Sequence, residues 1–481
     1  MRIVLCDTRR LDVSKDFAGG MGIGMYPGYG GWRGRLIRHF YTRDRRPVAL
    51  LFPYLAAIFR KLGHDVEFAE DRMIAGADLY VFNPSLITLE LERQAMAELR
   101  AAQPKARVLV AGIVASVLPE AFRDLGVTVV KGEAEQLLWK LDEVLARPGA
   151  VVQLGTIEDL DRLPTPDWTG FGPAEFRISY DFWRFPTALI QSSRGCTFQC
   201  NYCPYVILER GTRFRDPEAV VDEIRESVRR WGFRSFKFRD PLFGLSQKNV
   251  FRMADLIGRL PHKIQFSIET RIDLMRPETL RVLRRVGLTS VTVGIETPSE
   301  ETLRRYKRQP IKDDRQHDFV RLCRELGIRT VAGFLIGFPE DTFDSIAAVL
   351  QYAQSVAPTY ANFNVVTPYP GTEFFEQIKS NIANFDYSRY SVYTPVLRYE
   401  HLTAEEVSVL HEWCTRRFYF RWRYLRTNAH LLWPILQRLG IGRIKDETAA
   451  RPAQLPPPRP MGLDLLNRPG LREDASHRDE V

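Results

Sequence analysis

The run SSRGCTFQCNYCPY, residues 192–205, gathers Cys196, Cys200 and Cys203 within eight residues at a C-x3-C-x2-C spacing. The chain's other cysteines, Cys6, Cys323 and Cys414, lie far from it in sequence. Thiols clustered so tightly are metal ligands by type and spacing. Structural zinc and closed electron-transfer clusters both take four protein ligands, and no fourth cysteine or histidine stands nearby. Each iron of a 4Fe-4S cube carries one outer thiolate, so three cysteines leave one iron open to a substrate or cofactor. Two other readings stay on the table: zinc completed by a distant ligand, and a non-catalytic iron–sulfur redox protein. The missing fourth ligand counts against both.

The elements that must position these cysteines follow from periodicity. In the first 150 residues, RIVLC (2–6), DVEFAE (65–70), ADLYVFN (77–83), ARVLVAG (106–112) and VTVVKG (127–132) read as strands, with helices at 48–64 and 89–103 between them. Such alternation predicts a doubly wound, Rossmann-like parallel sheet whose strand ends carry ligand groups. A long glycine- and aromatic-rich excursion, 17–32, follows the first strand; loops of that length are usually functional. Residues 151–186 read as a connector broken by Pro164 and Pro166. A second series follows, with strands at 188–193, 235–240, 263–270, 290–296, 329–337 and 360–366 and helices at 217–232 and 277–287 among those between them. It predicts a partial (β/α)6 barrel over 187–395. Residues 396–445 are expected to form a helical cap and 446–481, rich in proline and charge, a disordered tail.

The cysteine motif just after the first barrel strand, with Tyr202 before its last cysteine, resembles the signature of radical S-adenosylmethionine (SAM) enzymes. FKFRDPLF (236–243), SIETRID (267–273), VGIETPSEETL (293–303), GFLIGFPEDT (333–342) and TPYPGTEFF (367–375) resemble successive strand ends of that family, although FKFRDPLF, after the second strand, lacks its common GGEP form. The likeness implies that Cys196, Cys200 and Cys203 hold a 4Fe-4S cluster. SAM, bound by its amino and carboxylate groups to the open iron, would then yield a 5′-deoxyadenosyl radical. It also implies SAM contacts from Tyr202, Asp240, Arg271 (to the carboxylate), Gly294, Glu296 (to the ribose hydroxyls) and Gly337.

The first domain resembles the cobalamin-binding domain of one radical SAM subgroup, through VLVAGIVASVLPEAF (108–122) and the GE-x-E turn of VTVVKGEAEQLLWKL (127–141). The likeness implies cobalamin contacts at Ser85, Gly112, Gly132 and Glu133. After the first strand the chain reads CDTRRLDVSKDF, without the histidine by which many cobalamin proteins ligate cobalt, so the expected corrin has no histidine ligand.

The net charge of +9 is concentrated. Residues 416–445 hold Arg416, Arg417, Arg421, Arg423, Arg426, Arg438, Arg443 and Lys445 and no acid. On one continuous helix Phe418, Trp422 and Leu425 would share a face. A basic, aromatic face of this kind suits an anionic membrane surface better than nucleic acid, and a solvated cap is the plainer alternative. The N-terminus lacks a signal-peptide pattern, and no stretch reaches the ~20 apolar residues of a membrane span. The sequence therefore predicts a cytoplasmic enzyme, with peripheral contact to the inner membrane left open. The expected chemistry is methylation of an unactivated carbon on a small-molecule or lipid-like substrate, with cyclisation or rearrangement as the alternative. Electrons would come from an external donor such as flavodoxin or ferredoxin.

Overall fold

The computed structural model describes residues 1–10, 13–24, 44–207 and 211–428. The first sheet contains β1 (Arg2–Asp7), β2 (Asp65–Glu70), β3 (Leu79–Phe82), β4 (Arg107–Val110), β5 (Thr128–Gly132) and β6 (Val151–Gly155). It is parallel throughout, in the order β2-β1-β3-β4-β5-β6. The order reverses between β1 and β3, the switch point beside which doubly wound sheets bind ligands. One flank is the helix Leu51–Lys61, whose residues Phe52–Phe59 are all buried; Pro53 sits in its first turn, where no intrahelical donor is lost. The sheet corrects the expected connector boundary. VVQLG at 151–155 is the edge strand of the first sheet, and the rest of the connector places Trp168, Phe171, Phe176 and Phe182 in the core.

The second sheet is β7 (Thr187–Ile190), β8 (Ser235–Phe238), β9 (Gln265–Thr270), β10 (Leu288–Glu296), β11 (Arg329–Ile336) and β12 (Tyr360–Val365), paired in sequence order and all parallel. β7 and β12 remain edges, so the barrel is open. Its helices show their sequence signals plainly. In Pro217–Trp231, Asp216 accepts from the Glu218 backbone N–H, Pro217 takes the first turn and Gly232 ends the helix in the left-handed region. The connector also closes the barrel floor: Lys237 of β8 donates to Asp181 at 2.8 Å, with both side chains buried.

Part of the long excursion after β1 runs across the carboxyl edge of the first sheet. The Leu86 N–H donates to the Met21 carbonyl at 2.8 Å, and Gly22 packs against Ser85. Residues 25–32 of that excursion lie outside the described residues.

The continuous basic helix is not what forms. One helix, Ala404–Tyr419, starts at a Thr403/Glu406 capping box and ends at Phe420; a second runs Trp422–Thr427. Phe418 is buried against Phe363 while Trp422 is 78% exposed, so they do not share a face. Arg421 turns back between the helices, donating to the Gln354 carbonyl at 3.0 Å and stacking on Phe418. Residues 429–445 and the expected tail lie outside the described residues. Among the described residues no helix is long and apolar enough to cross a membrane.

Candidate functional site

The cysteine loop leaves β7 at its carboxyl end. Ser193–Arg194 pairs antiparallel with Arg213–Phe214, closing the neck of the loop that carries Cys196, Cys200 and Cys203. Asp240, at the end of β8, accepts from the Ser192 backbone N–H at 2.8 Å and from the Ser192 and Ser193 hydroxyls at 2.5 and 2.7 Å. The residue singled out as a SAM contact is thus engaged in bracing the loop. The far side is anchored by Asn201, whose N–H donates to the Tyr306 carbonyl at 3.2 Å and whose carbonyl accepts from Phe374 N–H at 3.0 Å.

The thiols share one site. Burial pushes Cys203 up to about 12, and its neighbours Cys200 and Cys196 add to the rise, against the Tyr205 backbone N–H and Arg308. Burial also raises Cys196, with Arg271 and Arg308 opposing. Buried thiols held neutral in this way ionise when a cation arrives, so metal uptake would release protons. Among the described residues no three His, Cys, Asp or Glu converge on a single metal ion. The donor set, three thiols with two guanidiniums beside them, suits a cluster that accepts thiolates and retains an open iron.

Arg308 is a site residue the sequence did not reveal. Its guanidinium lies 3.2 Å from the Glu296 carboxylate and 4.0 Å from Cys200 Sγ, and it donates to the Gly294 carbonyl. In sequence it is one cation in RRYKRQP, with nothing to set it apart from surface arginines. Glu296 adopts φ 71, unusual for a side chain of its size, at the end of β10. Burial raises its pKa, while Arg308 and Arg271 pull it down. A Cβ at Gly294 would meet the Glu296 carboxylate and the Arg308 guanidinium, so a side chain there would displace that pair.

Arg271 follows β9. It holds Asp273 through two bonds of 3.0 and 2.9 Å and lies 4.3 Å from the centre of the Phe198 ring, inside the cysteine loop. Its Nη1 is buried with no hydrogen-bond partner, as is the Tyr202 hydroxyl. Orphaned buried donors are rare and mark a missing partner; the Arg271 nitrogen fits a ligand carboxylate. Gly337, at φ 75, makes the turn after β11, and its N–H donates to Asp341 at 2.7 Å.

Ser85, Gly112, Gly132 and Glu133 come together at the carboxyl edge of the first sheet. Ser85 is fully buried and bonded to Thr88 at 2.8 Å. Gly112 and Gly132 have φ 96 and 98, Asn83 fills the space beside the first, and the Gly155 backbone lies beside the second. Glu133 points to the other domain. Its carboxylate accepts from Arg213 at 2.8 and 2.9 Å, from Arg194 at 3.3 Å and from the Ile157 N–H at 2.5 Å. Burial alone would raise its pKa, but these donors hold it down at about 2. Of the expected corrin contacts, Glu133 is thus engaged by the barrel's arginines, and the spaces beside Gly112 and Gly132 are taken by Asn83 and Gly155.

Residues 190–353 match the radical SAM superfamily. The chain is 30% identical over 286 residues to the anaerobic magnesium-protoporphyrin IX monomethyl ester cyclase of Cereibacter sphaeroides, covering 58% of this chain and 45% of the relative. It therefore spans about half the length of that cyclase. It is 25% identical over 376 residues to the hopanoid C-3 methylase of Methylococcus capsulatus, covering 71% of each. Among solved structures, the cobalamin-dependent SAM radical enzyme OxsB, with aqua-cobalamin and SAM bound, superposes at TM-score 0.65 with 13% identity, over 92% of this chain and 69% of that one. The radical SAM methyltransferase TsrM of Kitasatospora setae, with cobalamin and a [4Fe-4S] cluster, superposes at 0.56 with 17% identity, over 88% and 82%. Residues 190–353 are thus a radical SAM domain, in a chain with the two-sheet fold seen in OxsB and TsrM. A radical SAM domain takes a 4Fe-4S cluster and SAM.

Proposed function

We propose that the chain is a cobalamin-dependent radical SAM enzyme that methylates an unactivated carbon. The observation that carries this is the placement of the three-cysteine loop at the open barrel's mouth, against the carboxyl edge of the first sheet: Gly19, on that edge, lies against Pro204, the residue after Cys203. Cys196, Cys200 and Cys203 would hold the cluster, the free Arg271 nitrogen would meet the SAM carboxylate, and Glu296 would hold the ribose hydroxyls. Cobalamin would lie at the edge carrying Gly112 and Gly132. When bound, the cluster and SAM supply a radical able to take hydrogen from an unactivated carbon, and cobalamin supplies the methyl group. The protein's share is to orient these groups and exclude water. Tyr306 stacks on Phe338 at 4.5 Å and Tyr202 packs edge-on to the same ring at 6.5 Å, so the loop is backed by aromatic carbon.

Relatives named as hopanoid methylases and bacteriochlorophyllide methyltransferases support methyl transfer. They also support a small molecule, lipid- or isoprenoid-like, as substrate. The likeness to a cyclase at 30% identity favours a second reading, cyclisation or rearrangement with the same cofactors. Electrons would come from a donor such as flavodoxin or ferredoxin. The protein would work in the cytoplasm, with peripheral contact to the inner membrane through the basic C-terminal helices.

The test is anaerobic turnover by the reconstituted enzyme with methyl-labelled SAM, on a panel of lipid and tetrapyrrole acceptors, read by product mass. A labelled methylene gain supports methylation. Product formed without label supports cyclisation or rearrangement and overturns methyl transfer. Protein that retains no corrin overturns the cobalamin assignment.

A further inference from the structure

Both ends of the cysteine loop are tied to one carboxylate from the other domain. Arg194 stands two residues before Cys196, and Arg213 lies across the neck in the antiparallel pair Arg194↔Arg213. Both arginines donate to Glu133, at 3.3 and 2.8 Å, and Arg194 also donates to Glu135 at 2.7 Å. The carboxylates and Arg194 are buried, and Tyr54, on the helix flanking the first sheet, lies 5.3 Å from the Arg194 guanidinium. Glu133 is further fixed by the Ile157 N–H, just beyond β6. Bidentate, charge-assisted bonds to a buried carboxylate define direction as well as distance. From the barrel side, Asp240 holds Ser192 and Ser193. The stretch that launches Cys196 is therefore gripped between the two domains.

We propose that Glu133 and Glu135 are positioning residues. Through Arg194 and Arg213 they set the neck of the cysteine loop, so that the state of the first domain is transmitted to the iron site of the second. The pair acts on the cluster through the arginines and does not touch it. This rests on the reading that the three cysteines hold the cluster. It gives the two acids of the GE-x-E turn a role facing the barrel, distinct from contact with a corrin. A shift of the first sheet's carboxyl edge would move the Glu133 backbone and, through the shared guanidinium bonds, both strands of the neck.

The test uses the full chain, reconstituted anaerobically with iron and sulfide. Glu133→Gln, Glu135→Gln and the milder Arg213→Lys are compared with Asp167→Asn, which alters a largely buried connector partner of Arg60 away from the neck. Two readouts are used: the rate at which a chelator removes iron, and the change in the electron paramagnetic resonance spectrum of the reduced cluster when SAM is added. The expected result is a normal iron content in the neck variants, with iron removed about tenfold faster, the equivalent of one lost charge-assisted hydrogen bond, and an altered response to SAM. Asp167→Asn should match wild type in both. Wild-type protein that takes up cluster, with neck variants that keep its rate and spectrum, would overturn the clamp alone. Wild-type protein that takes up no cluster would overturn the cysteine assignment and the clamp with it. Should the glutamine variants fail to fold, Arg213→Lys decides by the same two readouts, because it keeps the charge and loses only the paired geometry.

Discussion

Arg308 bridges Glu296 and Cys200: one guanidinium lies 3.2 Å from the carboxylate of the strained strand end and 4.0 Å from the sulfur of the middle cysteine. The site thus joins its proposed ribose contact and its proposed iron ligand through a single buried cation. Removing one partner of a buried pair leaves the other charge without compensation, which costs about 3–5 kcal/mol. Arg308→Ala should therefore destabilise the apo-protein by roughly that amount, and Arg308→Ala with Glu296→Gln should recover part of the loss, because the neutral amide tolerates burial better. Urea unfolding of the single and double variants measures the coupling. Additive effects would show that the two side chains do not depend on each other.

The cysteines divide by neighbourhood. Cys196→Ala, Cys200→Ala and Cys203→Ala should each abolish SAM cleavage to 5′-deoxyadenosine. Cys323 and Cys414 are buried in apolar packing, and Cys323→Ala should cost only about 1 kcal/mol for the small void it leaves while cleavage continues. Normal cleavage by reconstituted Cys200→Ala would remove the basis of the cluster assignment.

Most strands and the cysteine motif were legible in the sequence because both are local. β2 occupies the residues its alternation marks, 65–70, and the helix after β7 starts at Pro217 with its cap beside it. What escaped is non-local. Glu133 meets Arg194 and Arg213 across separations of 61 and 80 residues, and no periodicity carries such a pairing. β6 was hidden by the proline-rich stretch after it, which made the whole of 151–186 read as linker. The break at Phe420 has no glycine or proline to announce it. It comes from tertiary packing, with Phe418 drawn into the core and Arg421 turned back to Gln354.

His411 sets a pH dependence of stability. It is buried on the Ala404–Tyr419 helix, 2.8 Å from the Phe363 carbonyl, and burial lowers its pKa to about 4. Near its ordinary value of about 6.5 the unfolded chain takes up a proton that the folded protein refuses. This contribution is therefore complete above about pH 6.5 and declines as pH falls towards 4, by about 3 kcal/mol in all. Denaturant midpoints measured from pH 7.5 to 4.5 should fall for wild type and fall less for His411→Gln. Equal slopes for the two proteins would assign the acid sensitivity to other groups.

The C-terminal helices give the last prediction, which bears on where the substrate comes from. Trp422, Val409 and Phe420 are exposed, and Arg417, Arg423 and Arg426 stand near them in sequence with their side chains in solvent. Arg416 is paired with Glu412 at 3.1 Å and Arg421 is turned onto Phe418, so neither is the best probe of this surface. A cation near an anionic bilayer adds about 1 kcal/mol, an attraction that salt screens, while exposed aromatics can enter the headgroup boundary. The protein should therefore float with anionic vesicles at low salt and leave them at high salt. Arg417→Glu, Arg423→Glu and Trp422→Ala together should abolish flotation without changing the thermal midpoint, since all three residues are exposed. Val407 packs beside Gly337 after β11, whereas Tyr424 donates to the Thr359 carbonyl ahead of β12, so this surface lies at the amino-terminal end of the barrel strands. If the wild-type protein stays in the aqueous fraction at low salt, the arginines are a solvated face, and a water-soluble metabolite becomes the substrate to test first.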